Sequence, residues 1–179
     1  MSGGRFLFGV GGGWNREEIE GHGTAFATRF KLMRERIEAM KAIWTEAKPE
    51  YHGEFVNFPP MMTWPKPVQK PYPPIIVVGA FPHAARRATA DGWVPIAGRG
   101  PYGDVNAYLP KFKQMVREAG RDPAALPITL FGGTEDLDLL KRYRDMGVAR
   151  VVTTLPPEPA DKTLPVLDRW AELIRRVNS

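Results

Sequence analysis

The sequence predicts an α/β fold of repeated strand-then-helix units, and three observations carry that reading. Short apolar runs such as Ile75-Ile76-Val77-Val78 and Ile128-Thr129-Leu130-Phe131 stop at glycine. Each is followed by a segment read as a helix, and in the long segment with Phe26, Phe30, Met33, Ile37, Met40 and Trp44 the apolar residues recur at steps of three and four, the period of a helix with one buried face. The runs are apolar throughout rather than alternating, as strands are when a parallel sheet is covered by helices.

Arg5-Phe6-Leu7-Phe8-Gly9-Val10 is the first strand, ending in Gly11-Gly12-Gly13. From about Thr24 a long helix follows, with Phe26, Phe30, Met33, Ile37, Met40 and Trp44 on one side and Arg34, Glu35, Glu38 and Lys41 mostly on the other. The stretch 48–74 holds eight prolines, which forbid a helix and disfavour a central strand. It reads as an ordered surface excursion containing a small turn or hairpin at Tyr51-His52-Gly53-Glu54-Phe55. Ile75–Val78 is the next strand, followed by Gly79-Ala80-Phe81 and a short helix from Pro82 to Ala90. Trp93-Val94-Pro95-Ile96 is a strand whose helix carries Tyr108, Leu109, Phe112, Met115 and Val116 before Gly120; Pro110 either kinks that helix or marks its first turn. The strand Ile128–Phe131 leads through Gly132-Gly133-Thr134 to a helix with Leu137, Leu140 and Tyr143, closed by Gly147. Val148–Val152 and a helix with Leu164, Leu167, Trp170 and Ile174 complete about five units.

Composition bounds the function. With 179 residues, 43% hydrophobic and 25% charged, the chain can bury the core of one domain, 1–179. No apolar run approaches the roughly 20 residues that span a bilayer, and no basic-then-apolar leader follows Met1. The absence of cysteine excludes disulfides and thiolate chemistry and fits a cytoplasmic setting. His22, His52 and His83 stand far apart without a clustered carboxylate pattern, so no metal site is expected. The net charge of +5 is spread over helices rather than gathered with interleaved aromatics, which argues against nucleic acid. Two architectures fit the alternating units: an open doubly wound sheet and a (β/α)8 barrel. A whole barrel takes about 250 residues, so the chain holds part of one. In both, ligands meet the C-terminal ends of the strands.

Those ends contain the candidate site residues. Gly9-Val10-Gly11-Gly12-Gly13-Trp14-Asn15 lets backbone approach a ligand closely and adopt positive φ. It is not a dinucleotide fingerprint, because Trp14 stands where that motif needs glycine, and a plain turn explains the glycines equally well. Asn15 with Arg16, Glu17 and Glu18 offers polar groups, or is simply the solvated start of a helix. Gly79-Ala80-Phe81-Pro82-His83 puts small residues directly before a helix start, where free N–H groups favour an anion. Gly132-Gly133-Thr134 repeats the arrangement, but Glu135 and Asp136 would repel a phosphate, so that turn reads as structure. No Ser-His-Asp spacing or carboxylate pair suggests hydrolysis, and no catalytic residue is assigned.

Several segments together resemble the bacterial luciferase-like monooxygenase superfamily, especially its branch that uses the deazaflavin coenzyme F420. They are Ser2 through Asn15, His52-Gly53-Glu54-Phe55, Pro65 through Pro71, Pro73 through Gly79, Asp91-Gly92-Trp93 and Leu167 through Ala171. The resemblance implies a partial (β/α)8 TIM barrel of about five C-terminal βα units, in which Ser2–Asn15 corresponds to about the fourth strand and the first three units are missing. It implies that F420, or else flavin mononucleotide (FMN), lies against Gly11, Gly12, Gly13 and Asn15, with Gly79, Ala80 and Phe81 offering N–H groups to its phosphate. Ala80 and Phe81 stand where the family often has glycine or serine. The activity implied is hydride transfer or oxygen activation on a small organic substrate, carried by the cofactor. The alternative is a non-catalytic barrel remnant acting as a structural or oligomerising subunit. Missing strands leave open edges, so a homo-oligomer that covers them is expected.

Overall fold

A computed structural model describes residues 2–87, 92–95 and 104–179, with the side chains of Arg86 and Arg87 outside the description. The predicted helix end at Ala90, Asp91 and the strand end at Ile96 lie outside the described residues. Among the described residues β1 (Phe8–Val10), β4 (Ile75–Val78), β5 (Trp93–Val94), β6 (Ile128–Phe131) and β7 (Val148–Val152) form one sheet in that order, and β2 (Tyr51–His52) and β3 (Asn57–Phe58) form a separate two-stranded sheet. The chain divides into two compact units, Met1–Ile76 and Val77–Ser179.

In the first unit, β1 (Phe8–Val10) is shorter than the apolar run predicts. The Phe8 N–H donates to Pro74 O at 2.9 Å, just before β4 (Ile75–Val78). Helix α1 (Arg16–Gly21) begins directly after the glycine loop, well before the predicted helix start near Thr24. It carries no apolar period to betray it; a cap forms it instead. The Asn15 side chain accepts from the N–H groups of Glu17 and Glu18, and those two acids sit at the positive end of the helix. Phe26–Thr28 is a 3-10 turn that enters α2 (Arg29–Thr45).

The proline-rich stretch is tied to α2. β2 (Tyr51–His52) and β3 (Asn57–Phe58) pair antiparallel, as the hairpin reading expects. The Glu35 carboxylate of α2 is buried and accepts three backbone N–H groups, from Glu54 (3.1 Å), Phe55 (2.7 Å) and Val56 (3.0 Å). Further along, Lys66 Nζ donates to Ile43 O at 2.5 Å and to Thr63 Oγ1 at 2.7 Å. Side-chain anchors thus replace the ladder that proline denies.

In the second unit, β4 pairs in parallel with β5 (Trp93–Val94), β5 with β6 (Ile128–Phe131), and β6 with β7 (Val148–Val152). Helices α3 (His83–Arg87), α4 (Val105–Glu118), α5 (Leu137–Asp145) and α6 (Ala160–Asn178) alternate with them. Trp93, Leu109, Phe112, Val116 and Ile128 are almost wholly buried and form the core. Burying one such side chain contributes about 1.5–3 kcal/mol. Pro110 lies within α4, past its first turn: Asp104 caps the helix from Val105, and Pro110 faces solvent.

Candidate functional site

β1 delivers the chain into Gly11-Gly12-Gly13-Trp14-Asn15, and this loop forms one wall of a cavity of about 840 Å³. The opposite wall comes from α2, where Met33, Ile37 and Met40 present the apolar side of the helix, and Ile19 of α1 contributes a further apolar patch. Trp14 is 83% exposed at the rim. The size falls in the ordinary range for a cofactor-sized ligand, roughly 300–1,000 Å³.

The glycines are explained partly by the chain's own packing. A Cβ at Gly12 would overlap the Phe30 ring, and one at Gly13 would lie 2.8 Å from Ile19 Cδ1, where φ is already +71°. Phe30 and Ile19 therefore support the loop from beneath. Asn15 Oδ1 is held by the N–H groups of Glu17 and Glu18 at 3.1 and 3.4 Å, so its side chain is a helix cap as well as a lining group.

Sequence reasoning missed Arg29 and Arg36, both of which line the cavity. The Arg29 guanidinium lies over the rings of Phe26 (3.6 Å) and Phe30 (4.2 Å) and donates to Phe26 O at 2.7 Å, while its Nε is buried with no hydrogen-bond partner. The signal was present as Phe26-Ala27-Thr28-Arg29-Phe30, an arginine flanked by aromatics at a helix start.

Gly79, Ala80 and Phe81 belong to the second unit, and the structure corrects one part of their expected role. The Gly79 N–H donates to Val94 O at 3.1 Å, and Gly79 O accepts from Trp93 Nε1 at 3.0 Å. Both backbone groups of Gly79 are committed to holding the exit of β4, so its N–H is not a phosphate donor. Its φ of +150° and a Cβ position only 2.8 Å from Ala84 Cβ account for the glycine. The Phe81 ring stacks on Tyr108 with centroids 4.9 Å apart and lies 6.2 Å from Trp93. The N–H groups of Gly132 and Gly133 both donate to Val152 O at 3.0 Å, which makes that turn a structural one, as its flanking acids suggested. Among the described residues no group of three or more histidines or carboxylates could hold a metal, and no helix is long and apolar enough to cross a membrane.

Parallel strands alternating with helices, with the glycine-lined cavity where β1 ends, define a protein built on part of the (β/α)8-barrel plan. The luciferase-like monooxygenase family model matches residues 1–134, and the chain belongs to that family. An uncharacterised protein of Mycobacterium tuberculosis is 36% identical over 177 residues, covering 96% of this chain and 60% of the relative. The chain thus spans about three-fifths of that relative's length. The FMNH2-dependent dimethylsulfone monooxygenase of Pseudomonas putida is 34% identical over 83 residues, 45% of this chain and 23% of that protein. The F420-dependent glucose-6-phosphate dehydrogenase of Segniliparus rotundus is 29% identical over 102 residues, 56% of this chain and 30% of that protein. In fold, the chain is similar to the monooxygenase RslO1 from Streptomyces bottropensis, with a TM-score of 0.82 at 18% identity over 99% of this chain and 70% of that one.

Proposed function

We propose that the chain contributes the cofactor-holding loops of a luciferase-like oxidoreductase or monooxygenase that works with F420 or FMN on a small organic substrate. The observation that carries the reading is the cavity between the Gly11–Asn15 loop and α2, in a chain whose family includes relatives named for both cofactors. The residues present fit a flavin-type group in this respect: a glycine loop without side chains lets a planar ring approach the backbone, and the facing wall is apolar. Gly11, Gly12 and Gly13 would hold the ring's edge by close backbone approach. Trp14 would exclude water at the rim, and the Arg29 and Arg36 guanidinium groups would favour negative charge on the ligand. Gly79 would keep the β4 exit in place, leaving Ala80 and Phe81 as the backbone donors of that corner. The cofactor, once bound, supplies the hydride or oxygen chemistry, and the protein supplies position and electrostatics. F420 is the favoured cofactor, since the sequence segments resemble that branch.

The experiment is a fluorescence titration of the purified chain with F420 and, separately, with FMN. Saturable binding of either in the micromolar range, weakened by Gly11→Val and by Trp14→Ala, is the expected result. No binding of either cofactor at high micromolar concentration would overturn the reading. A second reading, a non-catalytic subunit that works by association, is favoured by the apolar residues left exposed on α6.

A further inference from the structure

Trp14 is the large side chain for which the packing of the chain offers no use. Its indole is 83% exposed, and among the described residues it meets no other ring and no cation. The backbone on both sides of it is held in place. Gly12 lies against the Phe30 ring, Gly13 against Ile19, and the Asn15 side chain accepts from the N–H groups of Glu17 and Glu18. The loop therefore presents the indole at the cavity rim from a fixed base, although burying so large a ring would stabilise the fold. Its position also differs from that of an apolar residue on a sheet edge or a helix flank. β1 ends at Val10, and in the (β/α)8 plan this end of a strand faces the mouth where ligands enter, whereas edges and flanks meet the next strand and helix.

We propose that Trp14 is a stacking plate for the organic substrate, and that the substrate class is a planar conjugated ring carrying a negative charge. The proposal rests on the reading of this cavity as a cofactor and substrate site. Features of the same cavity select the class. The α2 wall, with Met33, Ile37 and Met40, is apolar and suits the body of a ring. An indole face attracts two kinds of partner, another ring or a cation. The charge of the lining decides between them. Arg29 and Arg36 stand there against one carboxylate, Glu18, and neither arginine is ion-paired among the described residues. A guanidinium keeps its charge at any working pH, so a cationic ligand is repelled and a carboxylate or phenolate is drawn in. The loop thus divides its work: the glycines admit the cofactor, and the indole beside them takes the ring of the substrate.

Isothermal titration of the 179-residue chain with 2-naphthoate, with no cofactor present, tests the proposal. Saturable binding is expected, weakened about tenfold by Trp14→Ala and far less by Trp14→Phe, which keeps an aromatic face. Decahydro-2-naphthoate has the same charge and nearly the same size but no conjugated ring. It should bind more weakly and lose far less from Trp14→Ala. N-methylquinolinium, a flat cation, should bind worst of the three. Far-UV circular dichroism verifies that both variants fold. The proposal is overturned by 2-naphthoate that does not bind at millimolar concentration, or whose affinity Trp14→Ala leaves unchanged. It is overturned as well by a saturated acid that loses as much as the aromatic one, or by a cation that binds more tightly than either acid. Parallel titrations with F420 and FMN keep the two readings apart. Naphthoate binding without binding of either cofactor would sink the cofactor reading alone, and cofactor binding without naphthoate binding would sink this one alone.

Discussion

Glu35 Oε2 accepts the backbone N–H of Phe55 at 2.7 Å, and through that bond and its two neighbours a helix carboxylate replaces a missing strand. The hairpin β2–β3 is only two residues long on each side, too short to hold itself together in water. Glu35→Ala should therefore release the hairpin without unfolding α2. Amide hydrogen exchange at Glu54, Phe55 and Val56 should speed up by orders of magnitude, while exchange at the core of the second unit stays unchanged.

The same carboxylate makes stability depend on pH. Burial pushes the Glu35 pKa up, but the N–H groups of Phe55, Val56 and Glu54, with Arg34 nearby, outweigh it and hold that pKa below the ordinary glutamate value. A depressed folded-state pKa means that the contribution is present above the unfolded value, about 4.3, and is lost as pH falls through the folded one. Thermal melts of the wild type should show a midpoint falling below about pH 4. In Glu35→Gln this part of the acid dependence should be gone.

Tyr51 offers a complementary test at high pH. Its hydroxyl donates to Glu38 at 2.6 Å, and that bond, with burial and the charges of Glu38 and Glu35, pushes its pKa up to about 12. Absorbance titration of the phenols should show a tyrosine ionising well above the ordinary range, and Glu38→Gln should bring it down. Because the folded value is raised, the stability it contributes is intact below about pH 10 and is lost as pH climbs toward the folded value.

Gly12 and Phe30 make a paired prediction. Gly12→Ala should cost about 1–3 kcal/mol through overpacking against the ring. Phe30→Ala alone also destabilises the unit, but the double variant should lose less than the sum of the two singles. Urea unfolding of the four proteins measures the coupling, and strict additivity would show that the ring does not support the loop.

Trp93 holds the other glycine corner. Trp93→Phe keeps most of the buried ring but removes the N–H that Gly79 O accepts, leaving that carbonyl without its side-chain partner. A loss of about 1–3 kcal/mol is expected, read as a lower urea midpoint with unchanged slope.

How much of this was legible in the sequence depended on whether a residue's role was local. The strands at Ile75 and Ile128 could be read because burial on both faces writes an unbroken apolar run into the chain, and the apolar face of α4 because burial on one side writes a period. Helix α1 could not, since six residues carry no period and only Asn15, as a cap, announces it. The glycine loop stood out in the sequence, but the packing reasons for two of its glycines, Phe30 and Ile19, lie on helices that follow it. Gly79 was singled out as a ligand contact because the sequence cannot reveal that, on the next strand, Val94 O accepts its N–H and Trp93 Nε1 donates to its carbonyl. Arg29 escaped because an arginine resting on aromatic rings looks, in one dimension, like any surface charge.

The support that Phe30 and Ile19 lend to Gly12 and Gly13 has a consequence for transplanting this loop. Grafting Gly9 through Asn15 alone onto another barrel would import a roof without its joists. The transferable module runs from Phe8 to Phe30, and a search for kindred loops gains discrimination by asking for an aromatic at the Phe30 position as well as the glycines.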